Sequence, residues 1–600
     1  MTGCEKSSGR AEFSLSGPLS SALYDAVRLL DKIGFSERLF AKDPTLWKDG
    51  PEERKQIANS LGWLDLPSEM AGVAGEIKAF ASGIRKEGFK RAVLLGMGGS
   101  SLAPLVLSES FGKRPGHPDL IVLDSTDPDA VRLVDEASRS KTLFIVSSKS
   151  GSTIEPLSLF EHFYGRLRKK EGSFAGNNFI ALTDPGSLLE RTARERSFRR
   201  VFQTPPDVGG RFSALSFFGL IPAAISGIDI SRLIQSSLIM SFALRQGSPL
   251  IKNPGVMLGA ALGAFYLKGR DKLTVITSKE VSSFGLWIEQ LIAESTGKEG
   301  RGIIPISGEL LSAPSGYSDD RVFVYIGAGA PDKGVRERLF RLSSAGHPVI
   351  SFHLKDRYAL GGEFLRWEAA TSAAGIFLRI NPFDQPDVEL SKRLTRALLE
   401  NAGRKGRKAC PRFRHAGAGF VPPGKKIGGR GMDVYLGNAA LKRIQGPGIK
   451  KKKAGFDFKG ALKGFFSLIG KDSYIGILAY MSPFDKKTGA RLKRLRKAVL
   501  LSTKAATQFG YGPRYLHSTG QLHKGGADNG AFIILARRTS SDAEIPGSPF
   551  GFRDLEISQA CGDMEALDSK GRSTVFFSLK DASRETFDRL RALIRDAARQ

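Results

Sequence analysis

The 600-residue chain carries 90 Lys and Arg against 61 Asp and Glu, a net charge of +29, with 41% hydrophobic residues and 39 Phe. That length and apolar content suit two to four packed domains, and the widely separated Cys4, Cys410 and Cys561 exclude a disulfide framework. No apolar run approaches membrane-spanning length and the N-terminus lacks a signal-peptide pattern, so a soluble, reducing, cytoplasmic setting with no membrane partner is expected.

Residues 1–75 read as a mostly helical wrapping segment, for example over Ser20–Ile33 and Glu52–Leu61. From 76 to 230 strands alternate with helices: Arg91–Leu95, Leu120–Leu123, Thr142–Val146 and Phe179–Leu182. That alternation implies parallel βαβ units and an α/β fold. The first of these strands runs into Gly96-Met97-Gly98-Gly99-Ser100-Ser101 and then a helix. Such a turn aims backbone N–H groups at one point and suits an anion, although tight packing explains glycine turns about as often. The third runs into Ser147-Ser148-Lys149-Ser150-Gly151-Ser152-Thr153, five hydroxyls in seven residues plus a lysine. That exceeds what helix capping needs and makes a phosphate cradle.

Residues 231–402 restart the series, with strands Lys272–Ile276, Arg321–Tyr325 and Val349–Phe352, which points to an internal duplication. Between the first two lies a helix in which Gln290 and Glu294 leave one face, one turn apart. Ser295, Thr296 and Gly297 end it, so Glu294 sits at its C-terminal mouth, where the helix dipole disfavours an anion. A carboxylate so placed is a candidate for proton transfer; the plain alternative is a surface Glu at a frayed end.

Residues 403–457 are rich in Gly, Pro and Lys/Arg and read as a linker. Residues 458–600 alternate again (strand Tyr474–Tyr480, helix Ala490–Ala506, strand Ala531–Ala536, helix Leu555–Leu567, strand Thr574–Leu579, helix from Arg584) and form a small α+β module with His517 on a loop. The positive excess clusters between Arg404 and Lys497. No aromatic stacking platform is interleaved with it, so a solvated linker and a basic helix face account for it better than a specific nucleic-acid partner.

Three further blocks complete the pattern: Gly209-Gly210-Arg211-Phe212-Ser213-Ala214-Leu215-Ser216, Asn381 through Lys392, and His517-Ser518-Thr519-Gly520-Gln521-Leu522-His523. With the two turns and the Glu294 helix, they make a chain that resembles the glucose-6-phosphate isomerase family. The likeness is greatest to the isomerase part of the bifunctional transaldolase/glucose-6-phosphate isomerase group. The resemblance implies two doubly wound SIS-type parallel-sheet α/β sandwich domains followed by the α+β module, and a homodimer. It implies reversible conversion of glucose 6-phosphate to fructose 6-phosphate through a cis-enediol, in glycolysis and gluconeogenesis, with no cofactor and no metal. In this likeness Glu294 is the base, Arg211 stabilises the enediolate, and Lys392 and His517 serve ring opening, with His523 the poorer candidate. Ser100, Ser148, Lys149, Ser150 and Thr153 hold phosphate, with Gly210, Gln290 and Gln385 also at the substrate and Gln385 toward its phosphate end. Lys149 is expected to serve through its backbone N–H rather than its ammonium.

Two departures stand out. The histidine follows both Glu294 and Lys392, an order the transaldolase-linked group shares. Too few residues precede residue 76 for a transaldolase barrel, so the reading is isomerase only. Broader specificity, including mannose 6-phosphate, and a non-catalytic sugar-phosphate-binding regulator are the alternatives. Retention of Glu294, Arg211, Lys392 and His517 together favours catalysis.

Overall fold

The computed structural model describes residues 10–247, 249–329, 331–404, 422–428, 432–445, 458–539 and 541–598. They divide into two compact units: Met1–Asp124 with Val134–Gly308 and Asp319–Gln385, and Ser125–Leu133 with Glu309–Ser318 and Pro386–Gln600.

The first unit contains two five-stranded sheets. Strand β1 (Arg10–Ser14) belongs to the second of them. The other is wholly parallel, with β2 (Arg91–Gly96), β3 (Asp119–Leu123), β4 (Thr142–Ser147), β5 (Phe179–Thr183) and β6 (Arg200–Gln203) in the order β3-β2-β4-β5-β6. Every residue of β4 and β5 is buried. A parallel sheet covered on both faces explains why these strands read as continuous apolar runs rather than alternating ones. Because β2 is followed by β3 on one side and β4 on the other, the winding reverses between β2 and β4. Ligands gather at the carboxyl ends of strands at such a reversal.

The second sheet joins β7 (Lys272–Thr277), β8 (Ile304–Ser307), β9 (Arg321–Ala328) and β10 (Val349–Leu354) in the order β1-β10-β9-β7-β8. β1 pairs antiparallel at its edge, Arg10 opposite His353. Helices Ile230–Arg245, Pro254–Leu267 and Leu360–Leu378 carry much of the shared core. Helices Gly17–Lys32 and Pro51–Ala58 fall where helices were expected over Ser20–Ile33 and Glu52–Leu61, while β1 lies in a stretch read as helical.

The second unit is built on a six-stranded sheet, with β11 (Lys425–Gly428), β12 (Met432–Leu436), β13 (Tyr474–Tyr480), β14 (Ala506–Tyr511), β15 (Gly530–Arg537) and β16 (Ser573–Leu579) in the order β11-β12-β16-β15-β13-β14. β14, β13, β15 and β16 are mutually parallel, and β12 and β11 are added antiparallel. Within the 403–457 stretch expected as a linker, the described residues form β11, β12 and helix Asn438–Gln445 instead. All five residues of β12, Met-Asp-Val-Tyr-Leu, are buried, and the surrounding Gly and Lys content masks this short pattern. Lys450–Lys453 and most of 404–421 lie outside the described residues. The helix read as ending at Ala506 stops at Thr503, and the weakly apolar Ala-Thr-Gln-Phe-Gly-Tyr that follows forms β14. Among the described residues no helix is long and apolar enough to cross a membrane. Cys561 is free and buried, and burial pushes its thiol up to about 12.

Candidate active site

The two loops at the reversal between β2 and β4 lie side by side. Ser147 Oγ donates to the Ser100 carbonyl at 2.9 Å. Gly98–Ser100 forms a single 3₁₀ turn, and a Cβ on Gly99 would stand 2.1 Å from the Gly210 carbonyl oxygen. Only glycine permits that approach, so the Gly-rich block and the Gly209-Gly210-Arg211 block are in direct contact. In the serine turn Gly151 takes φ +67°, and a side chain there would strike the backbone of Leu189. Ser148 Oγ accepts from Gly151 N–H at 3.2 Å and Ser150 Oγ from Ser152 N–H at 3.3 Å, which curls the turn so that Ser150 and Ser152 face solvent. Thr153, the residue before helix Ile154–Glu171, makes no side-chain cap bond. The Lys149 ammonium is tied to Asp184 and to the Pro206 carbonyl.

Helix Phe284–Thr296 buries Trp287, Ile288, Leu291 and Ile292 and closes where Gly297 N–H returns to Ala293 O at 2.9 Å. Glu294 lies in its last turn with its side chain 12% exposed. Gln290, one turn earlier and buried, donates to Glu294 Oε2 at 3.2 Å. The cation the dipole calls for comes from another segment: Arg211 Nη1 stands 3.9 Å from Glu294 Oε1.

Arg211 is fixed on all sides. Its Nε donates to Ser295 Oγ at 2.7 Å, Nη1 to Gln385 Oε1 at 2.8 Å, and Nη2 to the carbonyls of Pro382 at 2.8 Å and Asp384 at 3.0 Å. A guanidinium has five N–H donors, so among the described residues four are committed. The fifth is on Nη1, the nitrogen nearest Glu294. Burial pushes the Arg211 pKa down from the ordinary arginine value, opposed by the charges of Glu294 and Asp384. Below the turn, Phe212 packs on Trp63 and Phe383 at 5.5 and 5.3 Å between ring centroids, and Trp47 meets Phe383 edge-on at 5.0 Å. The N-terminal segment thus braces both the Arg211 turn and the 381–385 loop.

Lys298 was not anticipated from sequence. It is buried, and its ammonium donates to the Asn381 carbonyl at 2.8 Å, to Asp384 Oδ1 at 2.6 Å and to the Asp384 carbonyl that also receives Arg211. Two cations therefore clamp one loop. A lysine just past the end of a helix, where the dipole favours it, was the available signal. Burial, and next the nearby Arg211 charge, lower its pKa from 10.5 to about 8. We expect kcat/KM to fall above about pH 8 as Lys298 loses its proton. In Lys298→Arg, which stays charged, that limb should vanish up to roughly pH 10. The sign for stability is opposite. The unfolded chain holds this proton to 10.5 and the fold only to about 8. This group's contribution to stability is therefore present above 10.5 and lost as pH falls through 8. Activity loss in that window is then not unfolding, which a melting curve against pH checks.

Glu294, Arg211, Gln290, Gln385, Gly210, Ser100, Ser148, Lys149, Ser150 and Thr153 all belong to the first unit. Lys392 and His517 belong to the second. There Lys392 Nζ donates to Glu389 Oε1 at 2.7 Å, which holds the Glu389 carboxyl below its usual range. His517 is half-buried on the 3₁₀ turn Arg514–His517. His523 is fully buried against Phe532 and Tyr515, with Nε2 2.5 Å from Gln508 Oε1. Burial, then the Lys524 charge, holds its pKa well below the ordinary histidine value, so it is a neutral core residue. Among the described residues no group of three or more His, Cys, Asp or Glu is placed to hold a metal ion.

Paired parallel sheets, a hydroxyl-lined turn at a strand reversal and a carboxylate beside a clamped guanidinium define a phosphosugar-isomerase class of protein. The family model for phosphoglucose isomerase matches residues 67–317. A glucose-6-phosphate isomerase of Carboxydothermus hydrogenoformans is 31% identical over 411 residues, covering 59% of this chain and 87% of that protein. One from Mycoplasmopsis pulmonis is 28% identical over 388 residues, 57% of this chain and 90% of its own. Among solved structures, a protein of Thermus thermophilus described as hypothetical superposes with a TM-score of 0.55 at 25% identity, over 64% of this chain and 99% of its own. The chain belongs to the phosphoglucose isomerase family.

Proposed function

We propose that this chain interconverts glucose 6-phosphate and fructose 6-phosphate, with Glu294 as the base that moves the hydrogen. The observation that carries the site assignment is the Arg211–Glu294 pair: a partly exposed carboxylate beside a guanidinium whose one N–H left uncommitted among the described residues is on the facing nitrogen. In the open-chain aldose, Glu294 takes the proton from C2. The C2–H electron pair becomes the C1=C2 bond, and the C1 carbonyl pair moves to O1. The remaining N–H of Arg211 meets the negative charge that develops, an arrangement that already exists before reaction and needs no reorganisation. The proton on O2 passes to O1, Glu294 returns its proton to C1 as the C1=C2 pair forms the new C1–H bond, and the ketose carbonyl forms at C2. Atoms and electrons balance without an external oxidant or reductant.

The phosphate is assigned to Ser100, Ser148, Ser150 and Thr153 and to the Lys149 backbone. Commitment of the Lys149 ammonium to Asp184 supports the backbone role. Gln385 is given a positioning role, because its side-chain oxygen is taken up by Arg211. Ring opening is assigned to His517 with Lys392, on the motif they share with the family. A homodimer in the cytoplasm completes the reading. Leu238 and Phe242, exposed one turn apart on helix Ile230–Arg245, support a partner surface.

A coupled assay on the purified full chain tests the function. Conversion of fructose 6-phosphate to glucose 6-phosphate at enzymatic turnover is expected. Binding without turnover would favour the regulator, and comparable turnover of mannose 6-phosphate would widen the specificity.

A further inference from the structure

The second unit contains a buried polar cluster that none of the steps above uses. Asp563 lies within helix Phe552–Ser569 and is fully buried. Its Oδ1 accepts from Ser391 Oγ at 3.1 Å and pairs with Lys524 Nζ at 2.8 Å. Its Oδ2 accepts from Tyr515 OH at 2.6 Å, and Tyr515 OH lies 2.9 Å from Tyr480 OH. Burial, and then the Asp563 charge, push the Tyr515 phenol well above its usual pKa, so it remains a donor.

Three segments therefore meet on one carboxylate. Ser391 is the residue before Lys392 on helix Val388–Arg404. Tyr515 is two residues before His517 on the turn Arg514–His517. Lys524 lies on helix Gly520–Gly525, which follows that turn. A second tie runs in parallel: Gln521 accepts from Asp387 N–H at 2.8 Å and donates to Asp387 Oδ2 at 2.9 Å. Burying an ion pair costs desolvation that well-packed apolar residues would avoid. What such a fully bonded network supplies is a fixed geometry among its members.

We propose that Asp563 is a positioning residue for ring opening: by bonding Ser391 and Tyr515 at once, it sets Lys392 and His517 in a single register. The proposal rests on the ring-opening roles given above to His517 and Lys392. Asp563 itself does not touch the sugar. Displacing a catalytic group by about 1 Å costs on the order of a hundredfold, and here the loss should fall on opening the ring and spare proton abstraction.

The test compares two substrates. One is glucose 6-phosphate, almost wholly cyclic. The other is erythrose 4-phosphate, which has its fourth oxygen esterified and cannot close a ring; C2 exchange with deuterated water is read for it. The variants are Asp563→Asn, and two milder ones that leave the Asp563–Lys524 pair intact, Tyr515→Phe and Ser391→Ala, with His517→Ala alongside. Asp563→Asn and Tyr515→Phe are expected to lose about 10- to 100-fold in kcat/KM on the cyclic substrate and under about threefold in exchange on the acyclic one, the split expected of His517→Ala. Ser391→Ala should show the same split with a smaller loss. Equal losses on both substrates, or none, in Tyr515→Phe while His517→Ala shows the split would overturn the positioning role alone. An unselective loss in His517→Ala would remove the ring-opening assignment and the positioning role with it.

Discussion

Glu294→Gln is expected to lower kcat by about 10²- to 10⁴-fold, the range typical of removing a positioned general base. The amide keeps the shape of the side chain and retains an oxygen for Gln290. Helix Phe284–Thr296 is held by buried Trp287, Ile288, Leu291 and Ile292, none of which the change touches. Melting temperature should stay within a few degrees, and binding of a sugar phosphate within about threefold, because the residues proposed to hold the phosphate lie on other loops. A fall in kcat and kcat/KM together, at unchanged binding, marks an interaction made in the transition state. A variant that turned over at wild-type rate would leave Glu294 as no more than the end of a helix.

Arg211→Lys is the second large effect. Lysine keeps the charge but replaces a planar five-donor fork with three donors on one nitrogen. The four acceptors that hold Arg211, at Ser295, Gln385, Pro382 and Asp384, cannot all be reached from a single ammonium. At least one of these acceptors then loses the donor Arg211 gave it, at a cost of about 1–3 kcal/mol where it is left buried and unpaired. The donor proposed to meet the developing enediolate is also lost, which costs about 10²–10³ in kcat where such donors have been removed. We expect kcat to fall by about that factor with KM changed less than about fivefold, together with a measurable drop in melting temperature. A kcat equal to wild type would mean that the guanidinium only clamps the 381–385 loop.

Much of the scaffold was legible because it rests on local patterns. β2, β4 and β5 read as continuous apolar runs, since helices cover both faces of a parallel sheet. Helix Phe284–Thr296 and its end at Gly297 followed from apolar periodicity and a glycine stop. The strands that went unread have weak signals for physical reasons. β6 has one buried residue of four, β8 is four residues with a proline inside, and β1 gains its partner from β10 more than three hundred residues away. Site chemistry divides the same way. Glu294, Gln290 and Arg211 sit in motifs, whereas the acceptors that hold Arg211 at Pro382 and Asp384 are backbone carbonyls, which no residue type announces. The contact of Gly99 with Gly210 and the convergence on Asp563 are tertiary facts. Each segment looks ordinary until the chain folds.

The most direct measurement follows the C2 proton of glucose 6-phosphate in deuterated water by proton NMR, with wild type and Glu294→Gln side by side. Wild type should wash out that signal during turnover, as some of the hydrogen carried by the carboxylate escapes to solvent. Glu294→Gln should leave it in place for at least about a hundred times longer. Loss of the C2 signal at the same rate in both proteins would show that some other group moves the hydrogen.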